Sequence, residues 1–231
     1  MRQVVLDTET TGLNAERGHR IIEIGCVELR ERRRTGLSFQ RYLNPERPID
    51  PGAQEVHGIS EEFLRDKPRF AEVVDEFLDF VRGAELVIHN AAFDLAFLDA
   101  ELALLGGRGR ISDHASVLDT LSLARERFPG QRNSLDALCK RFDVDNAHRE
   151  LHGALLDAAL LADVFLAMTA GQGSLELAGE PALDAATAAT ARSMSGARAR
   201  VLRANAEELA HHEARLDAVG KAFKGSPVWR L

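Results

Sequence analysis

The 231-residue chain has two cysteines, Cys26 and Cys139, one tryptophan and one tyrosine. Two cysteines cannot build the disulfide framework of a small secreted protein. Neither has neighbours at metal-ligand spacing, so a reducing cytoplasm is the expected compartment. No apolar run approaches the roughly 20 residues that a membrane span needs. The opening "MRQVVLDTET" turns acidic at once, so neither a signal peptide nor membrane attachment is expected. Basic charge is short as well: 29 Lys and Arg against 36 Asp and Glu leave a net charge of −7. That argues against loose, charge-driven binding to nucleic acid. It leaves room for a nucleic-acid enzyme whose carboxylates hold cations, because the cations then meet the phosphate.

What is present is ordinary globular material, 45% hydrophobic and 28% charged, enough for one good-sized domain and an appendage. "RQVVLDTE", "RIIEIGCVELR" and "GLSFQRYLN" are β-rich and closely spaced, which predicts an antiparallel meander. "NPERPIDPGAQ" reads as a proline-rich loop. Phe70, Val73, Val74, Phe77, Leu78 and Val81 fall on one helical face, with Gly83 as a stop. "AELVIHN" is a short buried strand, and "AAFDLAFLDAELALLG" a helix ending near Gly106. "ASVLDTLSLA" reads as a strand running into a helix. "NSLDALCKRF" is a helix capped by Asn133 or Ser134, and "HGALLDAALLADVFLAMTAG" a long apolar helix. Strands alternating with helices after a meander predict an α/β domain with a mixed sheet.

The acids are placed unusually. Asp7 and Glu9 end an apolar strand two residues apart, so alternation aims both the same way, as a hard cation such as Mg²⁺ or Mn²⁺ requires. Asp94 lies in the first turn after the strand "LVIHN". Asp157 interrupts an apolar helix, where an unpaired carboxylate is costly, and His152 precedes it by five residues. Each has a bland explanation alone: a strand end meeting solvent, a helix N-terminal acid, a polar helix face, a surface histidine. Together, on a strand, a strand–helix turn and a terminal helix, they are what a two-metal phosphodiesterase needs.

"LDTETTGL", "VIHNAAFDLAFLDAEL" and "HGALLDAALLADVFLAM" resemble the three exonuclease motifs of the DEDDh family, and "VHGIS" and "FPGQRNSLDALC" are similar too. The likeness covers about Arg2 to Gly173 and returns in "EELAHHEARLDAVGKAF" and "VWR". It implies a ribonuclease-H-like mixed sheet flanked by helices. It also implies the proofreading 3′-5′ exonuclease of a bacterial replicative DNA polymerase, releasing 5′-dNMPs from single-stranded or frayed DNA. Carried over residue by residue, it makes Asp7, Glu9, Asp94 and Asp157 the ligands of two Mg²⁺ or Mn²⁺ ions, with Asp94 acting partly through a water. Asp7, Glu9, Asp157 and His57 would meet the substrate, and His152 would be the general base, a role suited to a side chain whose ordinary pKa is near about 6.5. Phe93 and Phe97 read as core residues in preference to base-stacking platforms.

Three regions are expected: an exonuclease domain over 1–173, a flexible Ala/Thr/Ser/Gly-rich linker over 174–198, and a C-terminal segment over 199–231. Leu202, Leu209, Leu216 and Phe223 recur every seven residues there, a stripe for docking on the polymerase catalytic subunit. At the linker's start "QGSLEL" resembles a sliding-clamp-binding peptide, with Gln172, Leu175 and Leu177 as its contacts. Whether a small accessory subunit joins is left open. Two alternatives stand beside this: a DEDDh exoribonuclease with the same chemistry, and a non-catalytic polymerase scaffold, which the five filled catalytic positions disfavour.

Overall fold

The computed structural model describes residues 1–147, 151–170 and 204–223, the last five of these as backbone alone. The chain divides into two compact units, Met1–Gly173 and Ser174–Leu231.

In the first unit, strands β1 (Arg2–Thr10), β2 (Ile21–Arg30), β3 (Arg33–Tyr42), β4 (Glu85–Ile88) and β5 (Ser116–Asp119) form one sheet in the order β3-β2-β1-β4-β5. The first three strands pair antiparallel, and β4 pairs parallel with both β1 and β5. This is the expected mixed sheet. β3 begins at Arg33, ahead of the expected Gly36. It is an edge strand, and an edge tolerates the charged residues that disqualify a central one.

Both faces of the sheet are covered. Val4, Leu6, Ile24 and Cys26 pack on α3 (Phe70–Val81) and α4 (Ala91–Leu105) through Phe70, Phe77, Phe97 and Leu98. Val5, Val27 and Val87 pack on α7 (Ala154–Met168) through Ala158, Leu161 and Phe165. All six residues of the α3 stripe are buried. Between these elements lie α1 (Pro51–His57), α2 (Glu61–Leu64), α5 (Thr120–Arg127) and α6 (Leu135–Phe142). Ser134, not Asn133, caps α6, accepting the Ala137 N–H at 3.3 Å. The proline-rich segment is not all loop. Pro51 occupies the first turn of α1, where a missing N–H costs nothing, and Gly58 closes the helix in the left-handed region at φ 70°.

In the second unit, α8 (Ala206–Phe223) starts with a reciprocal cap. Asn205 Oδ1 accepts the Glu208 N–H at 2.9 Å, and Glu208 Oε2 accepts the Asn205 N–H at 2.8 Å. The linker 174–198, Leu202 and the peptide residues Gln172, Leu175 and Leu177 lie outside the described residues. No helix among the described residues is long and apolar enough to cross a membrane.

Candidate active site

β1 outruns β4. Their pairing stops at Val5–Val87, while β1 stays paired to β2 as far as Thr10. The end of β1 therefore borders a crevice at the carboxyl ends of the parallel strands, where open α/β sheets take ligands. Alternation sends Asp7 and Glu9 to the α7 side. Thr8 between them faces the other way, and its hydroxyl donates to Asp94 Oδ1 at 2.7 Å.

The crevice is a cleft of about 1380 Å³, lined by Asp7, Glu9, Asp94, His152 and Asp157 together with His57. It exceeds the roughly 300–1,000 Å³ of small-molecule pockets and has room for a polymer end. So the five residues singled out from the sequence, with His57, share one cavity. Ligand atoms of Glu9, His152 and Asp157 lie within 4.8 Å of one another. Asp7 and Asp94 line the same cleft outside that trio. His152 Nδ1 is 3.3 Å from Asp157 Oδ2.

Two helices deliver the later acids. Asp94 and Asp157 are each the fourth residue of their helix, and each is 3% exposed. Burial pushes the Asp94 carboxyl well above the ordinary carboxylate range, and the hydrogen bond from Thr8 only partly offsets it. α7 comes close because β2 offers it bare backbone. A Cβ on Gly25 would sit 2.2 Å from both Ala154 C and Leu155 N. Gly25 is the register partner of Asp7, so the contact lies beside the acids.

His57 is 4% exposed. Its Nδ1 accepts the Ile59 N–H at 3.0 Å, and among the described residues its buried Nε2 has no hydrogen-bond partner. Burial lowers its pKa from the ordinary histidine value, partly offset by the nearby Thr10 backbone, whose interaction with the ring falls short of hydrogen-bond geometry. His89 Nδ1 lies 3.0 Å from Thr120 Oγ1 at the ends of the parallel strands. Phe97 is core, and Phe93, 4.9 Å from it between ring centroids, packs against the same core while also lining the cleft.

Sequence reasoning passed over Thr8, Glu23 and Asp119. Asp119 ends β5 and accepts N–H groups from Asn90 at 3.2 Å and Leu121 at 2.9 Å. It thereby holds Asn90 in the left-handed turn, φ 65°, that opens α4. For Glu23 a signal existed: an acid inside "RIIEIGCVELR" is as anomalous as Asp7 in its own strand.

The donor set fits a divalent cation. The carboxylate oxygens of Asp7, Glu9, Asp94 and Asp157 suit Mg²⁺ or Mn²⁺, and a carboxyl disfavoured as an anion by burial is one whose charge a cation relieves.

The profile of the Exonuclease family, RNase_T, matches residues 4–165, and the chain belongs to that family. Within it, DNA polymerase III subunit epsilon of Salmonella typhimurium is 56% identical over 237 residues, covering 99% of this chain and 97% of that protein. Among solved structures, Exonuclease X in complex with 5′ overhanging duplex DNA matches with a TM-score of 0.58 at 27% identity, over 72% of this chain and 90% of that one. The nuclease domain of 3′hExo, a DEDDh family member bound to rAMP, matches in fold with a TM-score of 0.62 at 20% identity and the same coverages, 72% and 90%. The chain is thus a 3′-5′ exonuclease with a ribonuclease-H-like fold, and its family implies divalent-metal use.

Proposed function

We propose that this chain is the proofreading exonuclease of a bacterial replicative DNA polymerase, removing 3′-terminal nucleotides from single-stranded or frayed DNA as 5′-dNMPs with two Mg²⁺ or Mn²⁺ ions. The observation that carries the chemistry is the gathering of Asp7, Glu9, Asp94, His152 and Asp157 in one cleft, three of them with ligand atoms inside 4.8 Å. Similarity to an epsilon subunit along 99% of this chain supports the cellular role and a place in the cytoplasm with the polymerase.

Asp7, Glu9 and Asp157 would hold the ions, with Asp94 contributing partly through a water. When bound, the ions supply a nucleophile at neutral pH and cover the charge on the attacking and leaving oxygens. His152 takes the proton of the attacking water. Its Nδ1 lies 3.3 Å from Asp157 Oδ2, which orients the ring in the cleft. His57 contacts the terminal nucleotide. Its ring lines the cleft with Nε2 buried, which places a polar imidazole nitrogen where a substrate group would sit. Selection for errors needs no base reading, because a mismatched terminus unpairs more cheaply and reaches a single-strand site more often.

In the tail, the segment holding α8 docks on the polymerase catalytic subunit and residues 172–177 bind the sliding clamp. Tethering raises the nuclease's effective concentration at the primer end. The test is a 3′-labelled oligonucleotide, DNA against RNA, with Mg²⁺ or with chelator, cut by wild type and by Asp7→Ala. Metal-dependent DNA trimming lost in the variant is expected. Full activity of the variant refutes the site, and preference for RNA refutes proofreading. Truncation after about residue 178 should keep hydrolysis and lose co-elution with the polymerase.

A further inference from the structure

We infer that Glu23 is a positioning residue for the reaction, setting His152 and Asp157 through the first turn of α7. The inference rests on the roles proposed above for those two side chains.

Glu23 lies on β2 in register with Glu9 and does not line the cleft. It is 1% exposed, and a buried carboxylate is tolerated only when its oxygens are occupied. Here both are. Oε1 accepts from Gln40 Nε2 at 2.7 Å, and Oε2 accepts the N–H of Ala154 at 3.1 Å.

That N–H is the first of α7. A helix leaves its initial N–H groups without internal partners, and the residue at the N-cap usually serves them. The N-cap of α7 is Gly153, which has no side chain to do so. An acid from a strand 131 positions away in sequence does it instead. Ala154 is two residues past His152 and three before Asp157, so the tether falls between the base and a metal-binding acid.

Two further contacts make the tether a locating device. Behind Ala154, the bare backbone of Gly25 admits the helix start at a distance no other residue would allow. On the other side, the His152 N–H donates to the Val56 carbonyl at 3.1 Å. His152 is strung between Val56 and the Glu23 tether. Removing the Glu23 carboxylate leaves a buried N–H unpaired and frees one end of that span, while the carboxylates of β1 stay where they are.

The experiment compares full-length wild type with Glu23→Ala, Glu23→Gln and Glu23→Asp for kcat, KM and Tm on a 3′-labelled single-stranded DNA with saturating Mg²⁺, and runs His152→Ala beside them. Misplacement of reacting groups by about 1 Å can cost ~10²-fold, so Glu23→Ala should lose roughly 10–100-fold in kcat with KM little changed. Glu23→Gln should recover most of that loss, since its amide oxygen still accepts from Ala154. Glu23→Asp keeps the charge but falls one methylene short of Ala154, and should be impaired. It decides the matter if Glu23→Ala does not fold. Wild-type kcat in folded Glu23→Ala or Glu23→Asp overturns the inference, and so does a Glu23→Gln no better than the alanine variant. If His152→Ala is itself fully active, the roles proposed for the site fail first. If it is inactive while the Glu23 variants are not, the positioning role alone fails.

Discussion

α4 and α7 are two versions of one solution. Both are apolar around most of their surface, and both carry a buried aspartate at the fourth position. Neither opens with a side-chain cap of its own, and both borrow an acid from elsewhere: Asp119 takes the Asn90 N–H, and Glu23 takes the Ala154 N–H. They differ in what meets the aspartate. Asp94 is held by a neutral hydroxyl in a dry setting. Asp157 sits in a cluster with His152 and Glu9. They differ also in anchorage, since α4 is tied by the pair Arg20–Glu101 and α7 by contact with Gly25. A helix that bears a functional acid needs an external address for its first turn, and sheet acids supply it in both cases.

Substitutions can break that comparison. The largest effect is expected at the cluster: Asp157→Ala should take nuclease activity to the assay floor with the fold intact by circular dichroism, while Asp94→Asn leaves a measurable remainder. Next is α4's anchor. Arg20 donates to Glu101 through two nitrogens, both at 2.7 Å, so Arg20→Ala leaves the buried carboxylate to the Ile21 N–H at 3.3 Å and should destabilise by about 3 kcal/mol in urea unfolding. α7's anchor is more local. Gly25→Ala should cost about 1–3 kcal/mol as the helix start shifts, with a loss of kcat larger than the stability change explains. The smallest effect is a pH dependence at Asp94. The folded-state pKa of Asp94 is raised, so its contribution to stability is complete below the unfolded value, about 3.9, and is lost as pH rises through the folded one. Asn has no such loss. Metal-free Asp94→Asn should therefore melt above wild type at pH 8, with the difference shrinking toward pH 4 and reversed by Mg²⁺.

Much of this was legible in the sequence, for local reasons. The α3 stripe, the apolar α4 and α7, and the shared direction of Asp7 and Glu9 follow from periods of 3.6 and 2. The five site residues could be named because each breaks a local pattern, and the resemblance to the DEDDh motifs tied them together. What escaped was non-local. The helix-anchoring roles of Glu23, Glu101 and Asp119 arise through partners 131, 81 and 29 positions away in sequence. α1 escaped for a different reason: proline reads as a breaker, yet at a helix start it is a good first residue.

The bond between Val56 and His152 has a mechanical corollary. The last turn of α1 carries His57, one residue past the carbonyl that grips His152, so two imidazoles from distant parts of the chain ride on a single lever. On the function proposed above, seating the terminal nucleotide and readying the proton acceptor become the same movement, and a badly seated end would disarm the cut.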